Sequence, residues 1–171
     1  MFANPVISAG PDRVLLEGGE ITIDATATGN GLKYLWEPAA YLNNSKVLKP
    51  ILKGITEDIT LKLFVVAQGG CWKQDEVFVK LLKTPVVPNT FTPNGDGVND
   101  TWVIKYLDSY PECMIRVFNR DGQALYESLG YRVPGWDGRY KGKQLPFGTY
   151  YYVIEPGSGR KPITGYVTII Y

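Results

Sequence analysis

The residues best suited to chemistry lie in one short run, Asn94-Gly95-Asp96-Gly97-Val98-Asn99-Asp100, where oxygen-bearing side chains recur at spacings of two and four. Calcium takes six to eight oxygens, some from backbone carbonyls, and short carboxylates alternating on a glycine-rich loop supply such a shell. The candidate ligands are the side chains of Asn94, Asp96, Asn99 and Asp100, with the carbonyl of Val98. A second reading stands beside the first. Asn and Asp side chains also accept hydrogen bonds from backbone N–H groups two residues on, closing Asx turns that would cap the segment carrying Trp102. No bidentate Glu follows at EF-hand spacing. The carboxylate pairs Asp96 with Asp100 and Asp137 with Glu155 have the residue types of glycoside hydrolysis, but nothing around them marks either pair for it.

Composition narrows the chemistry further. The 171 residues hold no histidine, which removes Ser-His-Asp and Cys-His catalysis, His-ligated zinc and histidine pH switching. Catalysis is not expected. The 18 basic and 17 acidic side chains leave a net charge of +1, and they are spread evenly over both halves. Such a chain carries no basic footprint for nucleic acid and no polybasic membrane patch. Two cysteines, Cys71 and Cys113, are too few for a disulfide framework or a four-cysteine zinc site. They are either two free thiols or one bridge between domains. No apolar run is long enough for a membrane-spanning helix, and the N-terminus lacks the basic and apolar regions of a signal peptide. A protein of this kind working outside the cell would be a fragment with its export signal removed. A monomer is expected.

The elements that must position these residues are strands throughout. Ile21–Ala25 alternates apolar and polar side chains, as a half-buried strand requires. Further strands are expected at Lys33–Glu37, Ile59–Val66 and Val77–Leu81, then at Met114–Asn119, Gln123–Glu127, Thr149–Ile154 and Ile163–Ile170. Asp121-Gly122 between alternating segments predicts a hairpin, since Gly122 takes positive φ without a Cβ clash. Short strands separated by turn signals point to β-sandwiches. The segment 83–89 carries Pro85 and Pro88, and tyrosine usage changes across it: Tyr34 and Tyr41 before, ten tyrosines after. The expected architecture is all-β, two tandem antiparallel Ig-like sandwiches over residues 1–84 and 85–171. The prolines predict a short, stiff joint between them.

An ordered set of motifs carries a family resemblance over residues 86–171. It runs from Val87-Pro88-Asn89-Thr90-Phe91-Thr92-Pro93-Asn94-Gly95-Asp96-Gly97-Val98-Asn99-Asp100 through Tyr110-Pro111 and Ile115-Arg116-Val117-Phe118-Asn119-Arg120. It continues with Gly130-Tyr131, Trp136-Asp137-Gly138 and Leu145-Pro146-Phe147-Gly148-Thr149-Tyr150-Tyr151-Tyr152, and closes on Gly165-Tyr166-Val167-Thr168-Ile169-Ile170. This half resembles the gliding-motility-associated C-terminal domain, the type B sorting domain of the Bacteroidetes type IX secretion system. Asp121 departs from the aromatic usual in the family, and Tyr171 from its terminal Arg. Residues 4–83 are similar to the PKD-like or Ig-like modules that precede such domains, through Ala9-Gly10-Pro11-Asp12, Tyr34-x-Trp36-x-Pro38, Leu42 and Gly70-Cys71 with Asp75, Val77 and Val79. Leu16 stands where relatives have the partner cysteine.

The resemblance implies an address read by the outer-membrane type IX machinery, leaving an adhesin-like protein on the cell surface or outside the cell. The closing strand is the expected recognition element: Ile163, Gly165, Val167 and Ile169 alternate with Thr164, Tyr166, Thr168 and Ile170, and Tyr171 follows. A terminal strand either closes its sheet or offers an edge to a partner. The alternative is an adhesive module that binds glycan or a protein partner through exposed aromatics, with Tyr150-Tyr151-Tyr152 and Trp136 as candidates.

Overall fold

Apolar residues at every second position build both halves of the chain. The structure, a computed structural model, describes residues 4–171; residues 1–3, counted above with the first domain, lie outside the described residues. Two compact units divide at Lys83/Thr84.

The first unit contains β1 (Val6–Ser8), β2 (Arg13–Leu16), β3 (Glu20–Thr22), β4 (Thr26–Thr28), β5 (Lys33–Glu37), β6 (Ile51–Lys53), β7 (Ile59–Val66) and β8 (Trp72–Leu82). One layer is the sheet β2-β8-β7-β5; the other is made of the pairs β1-β4 and β3-β6. Leu61, Leu63 and Val65 of β7 and Val77, Val79 and Leu81 of β8 point inward, where they meet Ile23, Ala25, Leu52 and the fully buried Trp36. The Trp36 indole N–H donates to the Val47 carbonyl at 3.1 Å, so the ring is buried without stranding its donor. The expected strand Ile21–Ala25 ends early, since β3 stops at Thr22 and β4 begins only at Thr26. β3 pairs with β6, a pairing that Ile23 N–H extends by donating to Pro50 O at 2.9 Å, and β4 pairs with β1. The change of partner falls between Ile23 and Thr26, where Ile23 and Ala25 stay buried.

The second unit contains β9 (Thr90–Phe91), a short 3₁₀ turn (Leu107–Ser109), β10 (Met114–Phe118), β11 (Ala124–Leu129), β12 (Arg139–Tyr140), β13 (Lys143–Gln144), β14 (Gly148–Glu155) and β15 (Ile163–Ile169). Its main sheet has the order β11-β10-β14-β15-β9. Ile115, Val117, Tyr150, Tyr152, Ile154, Val167 and Ile169 form its buried face. The opposite layer is mostly irregular, fixed by bridges Trp102 to Trp136 and Val86 to Lys105 and by the β12-β13 hairpin. At the β10–β11 turn, Gly122 takes φ 80° and its N–H donates to Asn119 O at 3.1 Å. The Asn119 side chain accepts from the N–H groups of Asp121 and Gln123. Both units are antiparallel sandwiches with one parallel pair each, β2 with β8 and β9 with β15.

Candidate functional site

The Asn94–Asp100 loop leaves β9 through Thr92. The Thr92 N–H donates to Asn99 O at 2.9 Å and its hydroxyl to Val98 O at 3.2 Å. Asp100 accepts twice, from Gly95 N–H at 2.6 Å and Gly97 N–H at 2.8 Å, one bond on each carboxylate oxygen. Asp96 accepts from Val98 N–H at 2.8 Å and from the Asn94 amide at 3.0 Å, while Asn94 Oδ1 accepts from Asp96 N–H. The Val98 hydrogen bond, then that of Asn94, holds the Asp96 carboxyl below its ordinary value. Gly95 and Gly97 adopt φ of 83° and 87° and Asn99 of 55°, the left-handed region these residue types tolerate best. In this arrangement the loop is a network of Asx turns, in which each carboxylate oxygen of Asp96 and Asp100 accepts one N–H. Among the described residues, no group of three His, Cys, Asp or Glu side chains is placed to hold a metal ion.

The loop delivers the chain to Trp102, whose N–H donates to Trp136 O at 2.7 Å and whose indole donates to Pro88 O at 2.7 Å. Trp136 then sits among Phe91, Trp102, Tyr126 and Tyr150, with ring centroids 5.6–6.5 Å apart. Its indole donates to Arg139 O, and Asp137 accepts from Arg139 N–H. A Cβ on Gly138 would meet Ile169, Pro93 and Phe91 at 3.2–3.3 Å. Trp136-Asp137-Gly138 is therefore a turn around a buried anchor, not an exposed platform. Cys113 is buried, and burial pushes its thiol pKa up; Cys71 is half-buried, and both cysteines are free.

β15 lies between β14 and β9. Gly165 faces Tyr152 across the ladder, and a Cβ there would fall 2.5 Å from the Tyr152 hydroxyl oxygen. The glycine makes room for the ring. On the solvent face Tyr166 stands directly opposite Tyr151, and Tyr151 opposite Phe118. Tyr151 is 50% and Tyr166 54% exposed, so three neighbouring strands present an aromatic row to solvent. Below it Arg116 lies between Glu127 at 3.6 Å and Glu155 at 3.4 Å. At the far end of β15, Thr168 N–H donates to Asn89 O and Ile170 N–H to Phe91 O, and the Tyr171 hydroxyl donates to Leu145 O.

Of the sequence candidates, the structure gathers Asn94, Asp96, Val98, Asn99 and Asp100 in one loop and Ile163 to Tyr171 along one strand and its exit. The pairing of β9 with β15 escaped the sequence reading. It joins residues 78 positions apart (168 minus 90) through a two-residue strand, and neither periodicity nor a turn signal reports such a contact. Arg160 was missed, and Tyr131 stood in a motif with no role attached. The Tyr131 hydroxyl accepts from Ile104 N–H at 2.8 Å, and Arg160 donates to the Tyr110 hydroxyl at 2.7 Å.

Comparison with known proteins places this geometry. No curated protein matches the chain. Among solved structures, the DIP-gamma IG1+IG2 crystal structure has a TM-score of 0.53 at 10% identity, covering 98% of this chain and 97% of that one. Sidekick-1 immunoglobulin domains 1–5 give 0.52 at 12% identity, covering 99% of this chain and 39% of that one. At such identities these likenesses show the immunoglobulin-like fold alone. Residues 86–169 match the model of the CHU_C Type IX secretion signal domain, which makes the second unit a domain of that family.

Proposed function

We propose that residues 84–171 are the address by which the outer-membrane type IX machinery recognises this protein, and that β15 with the residues after it is the part that is read. The family match over residues 86–169 carries the sorting role. The assignment to β15 rests on its composition. Ile163–Ile169 contains no charged residue over seven positions, whereas the edge strands of four or more residues, β2, β5 and β11, carry Arg13, Lys33 with Glu37, and Glu127. Uncharged strands at sheet edges are ordinarily avoided. Residues 4–83 serve as an Ig/PKD-like spacer between the address and the exported protein, which is left on the cell surface or in the medium. The mechanism is binding; no step of it requires chemistry.

The test is export of a neutral periplasmic reporter carrying the chain at its C-terminus. Deleting residues 163–171 stops export under this reading, and export of the truncated fusion at the intact level removes β15 from the recognition surface. A second reading is favoured by one feature, the exposed row Phe118–Tyr151–Tyr166: an adhesive module that binds glycan or a partner protein. It predicts that Tyr151→Ala weakens surface attachment while export continues.

A further inference from the structure

The backbone of β15 offers more than its side chains do. Strand residues alternate in the side to which they direct N–H and C=O. Thr168 and Ile170 direct their N–H groups to Asn89 and Phe91, away from β14, so Thr164 and Tyr166 direct theirs to the same outer side. β9 pairs only with Thr168 and Ile169. Upstream of Asn89 the chain leaves β15, and Val86 pairs with Lys105 instead. Among the described residues nothing meets the outer N–H and C=O groups of Thr164 and Tyr166. Ile163–Val167 is thus an open edge of about 17 Å, at roughly 3.4 Å per residue. The edge is uncharged, and β9 already shows that it accepts a strand.

The geometry points to β-strand addition: an extended segment of the secretion machinery pairs with the Thr164–Tyr166 edge of β15, continuing the line of β9. This inference rests on the proposed reading of β15 and specifies its chemistry. Up to four backbone hydrogen bonds form, two donated by Thr164 and Tyr166 and two accepted by their carbonyls, and main-chain pairing of this kind supplies affinity with little demand on sequence. Specificity comes from the next place in the aromatic row. Beyond Tyr166 the added strand would carry an apolar or aromatic side chain on the same face, since directly opposed cross-strand pairs are the contacting ones.

Two experiments test it, both on the whole chain. In the first, reporter fusions carry Thr164→Pro, Tyr166→Pro or Thr164→Val. Proline removes an outward N–H that no neighbour in the domain uses, and edges tolerate proline; valine keeps the N–H. Strand addition predicts that each proline variant that retains the wild-type melting transition loses export by about tenfold or more, with Thr164→Val unchanged. Wild-type export of a folded proline variant overturns strand addition but leaves the reading of β15 intact. Normal export after deletion of residues 163–171 overturns that reading itself. The second experiment needs no variant. Amide hydrogen exchange in the wild-type chain should show Thr164 and Tyr166 unprotected beside protected Gly165 and Val167. Equal protection of all four would mean the edge is already covered and would refute the inference.

Discussion

Gly165→Ala probes how closely β15 is fitted to β14. Gly165 has ordinary extended backbone, so alanine alone would favour the strand by about 0.5–1 kcal/mol. The new Cβ, however, would lie 2.5 Å from the Tyr152 hydroxyl oxygen, 2.8 Å from Cζ and 3.2 Å from Cε1. The ring cannot withdraw freely, because Trp102 packs on it with centroids 5.0 Å apart. Overpacking of this kind costs about 1–3 kcal/mol. Taking about 2 kcal/mol and subtracting the backbone gain leaves about 1–1.5 kcal/mol, so the second unit should melt roughly 4–12 °C lower, using 4–8 °C per kcal/mol for a domain of this size. Calorimetry of the full chain reads the shift. In a Tyr152→Leu background the clash is gone, so Gly165→Ala should be neutral or stabilising, a reversal of sign that a double-mutant cycle reports as coupling. A Gly165→Ala melting point within about 2 °C of wild type, or equal effects in both backgrounds, would refute the reasoning.

The loop gives three more expectations. Asp100→Ala leaves the N–H groups of Gly95 and Gly97 without their acceptor and should cost about 1–2 kcal/mol, read by thermal melts. Those melts in several millimolar calcium and in chelator separate the two readings of the loop. The Asx network predicts no difference, whereas a calcium site at tenfold excess over Kd would add about 1.4 kcal/mol, or roughly 6–11 °C. Because the folded pKa of Asp96 lies below its ordinary 3.8, its contribution to stability is present above that value and is lost as pH falls below it; Asp96→Asn should remove this part of the acid dependence. Elsewhere, a thiol reagent should label Cys71 in the native chain and reach Cys113 only after unfolding, since Cys113 is fully buried and its pKa raised.

Several of the longer strands with regular alternation were legible in the sequence. β5 occupies Lys33–Glu37 and β7 Ile59–Val66, as their sequence patterns predict, and β10, β14 and β15 begin and end within one residue of expectation. Ile21–Ala25 failed as one strand because the chain passes from β6 to β1 as partner between Ile23 and Thr26, a change set by the neighbouring strands that its own alternation does not report. The very short strands β9, β12 and β13 carry no period to detect. At the candidate site, oxygen spacing identified the right loop, but spacing cannot tell which donors the oxygens will face. Gly165-Tyr166 was visible as a motif without a reason; the reason, space for Tyr152 and an outward backbone beside Tyr151, exists only across the ladder.

The most direct measurement of the central claim is the location of a neutral reporter in a type IX-competent bacterium. The reporter carries an inner-membrane export leader and, at its C-terminus, the whole chain, residues 84–171 or residues 1–83. The account predicts that the first two fusions reach the cell surface or the medium while the third stays in the periplasm. Retention of the whole-chain fusion in the periplasm, or export driven by residues 1–83 alone, would contradict it.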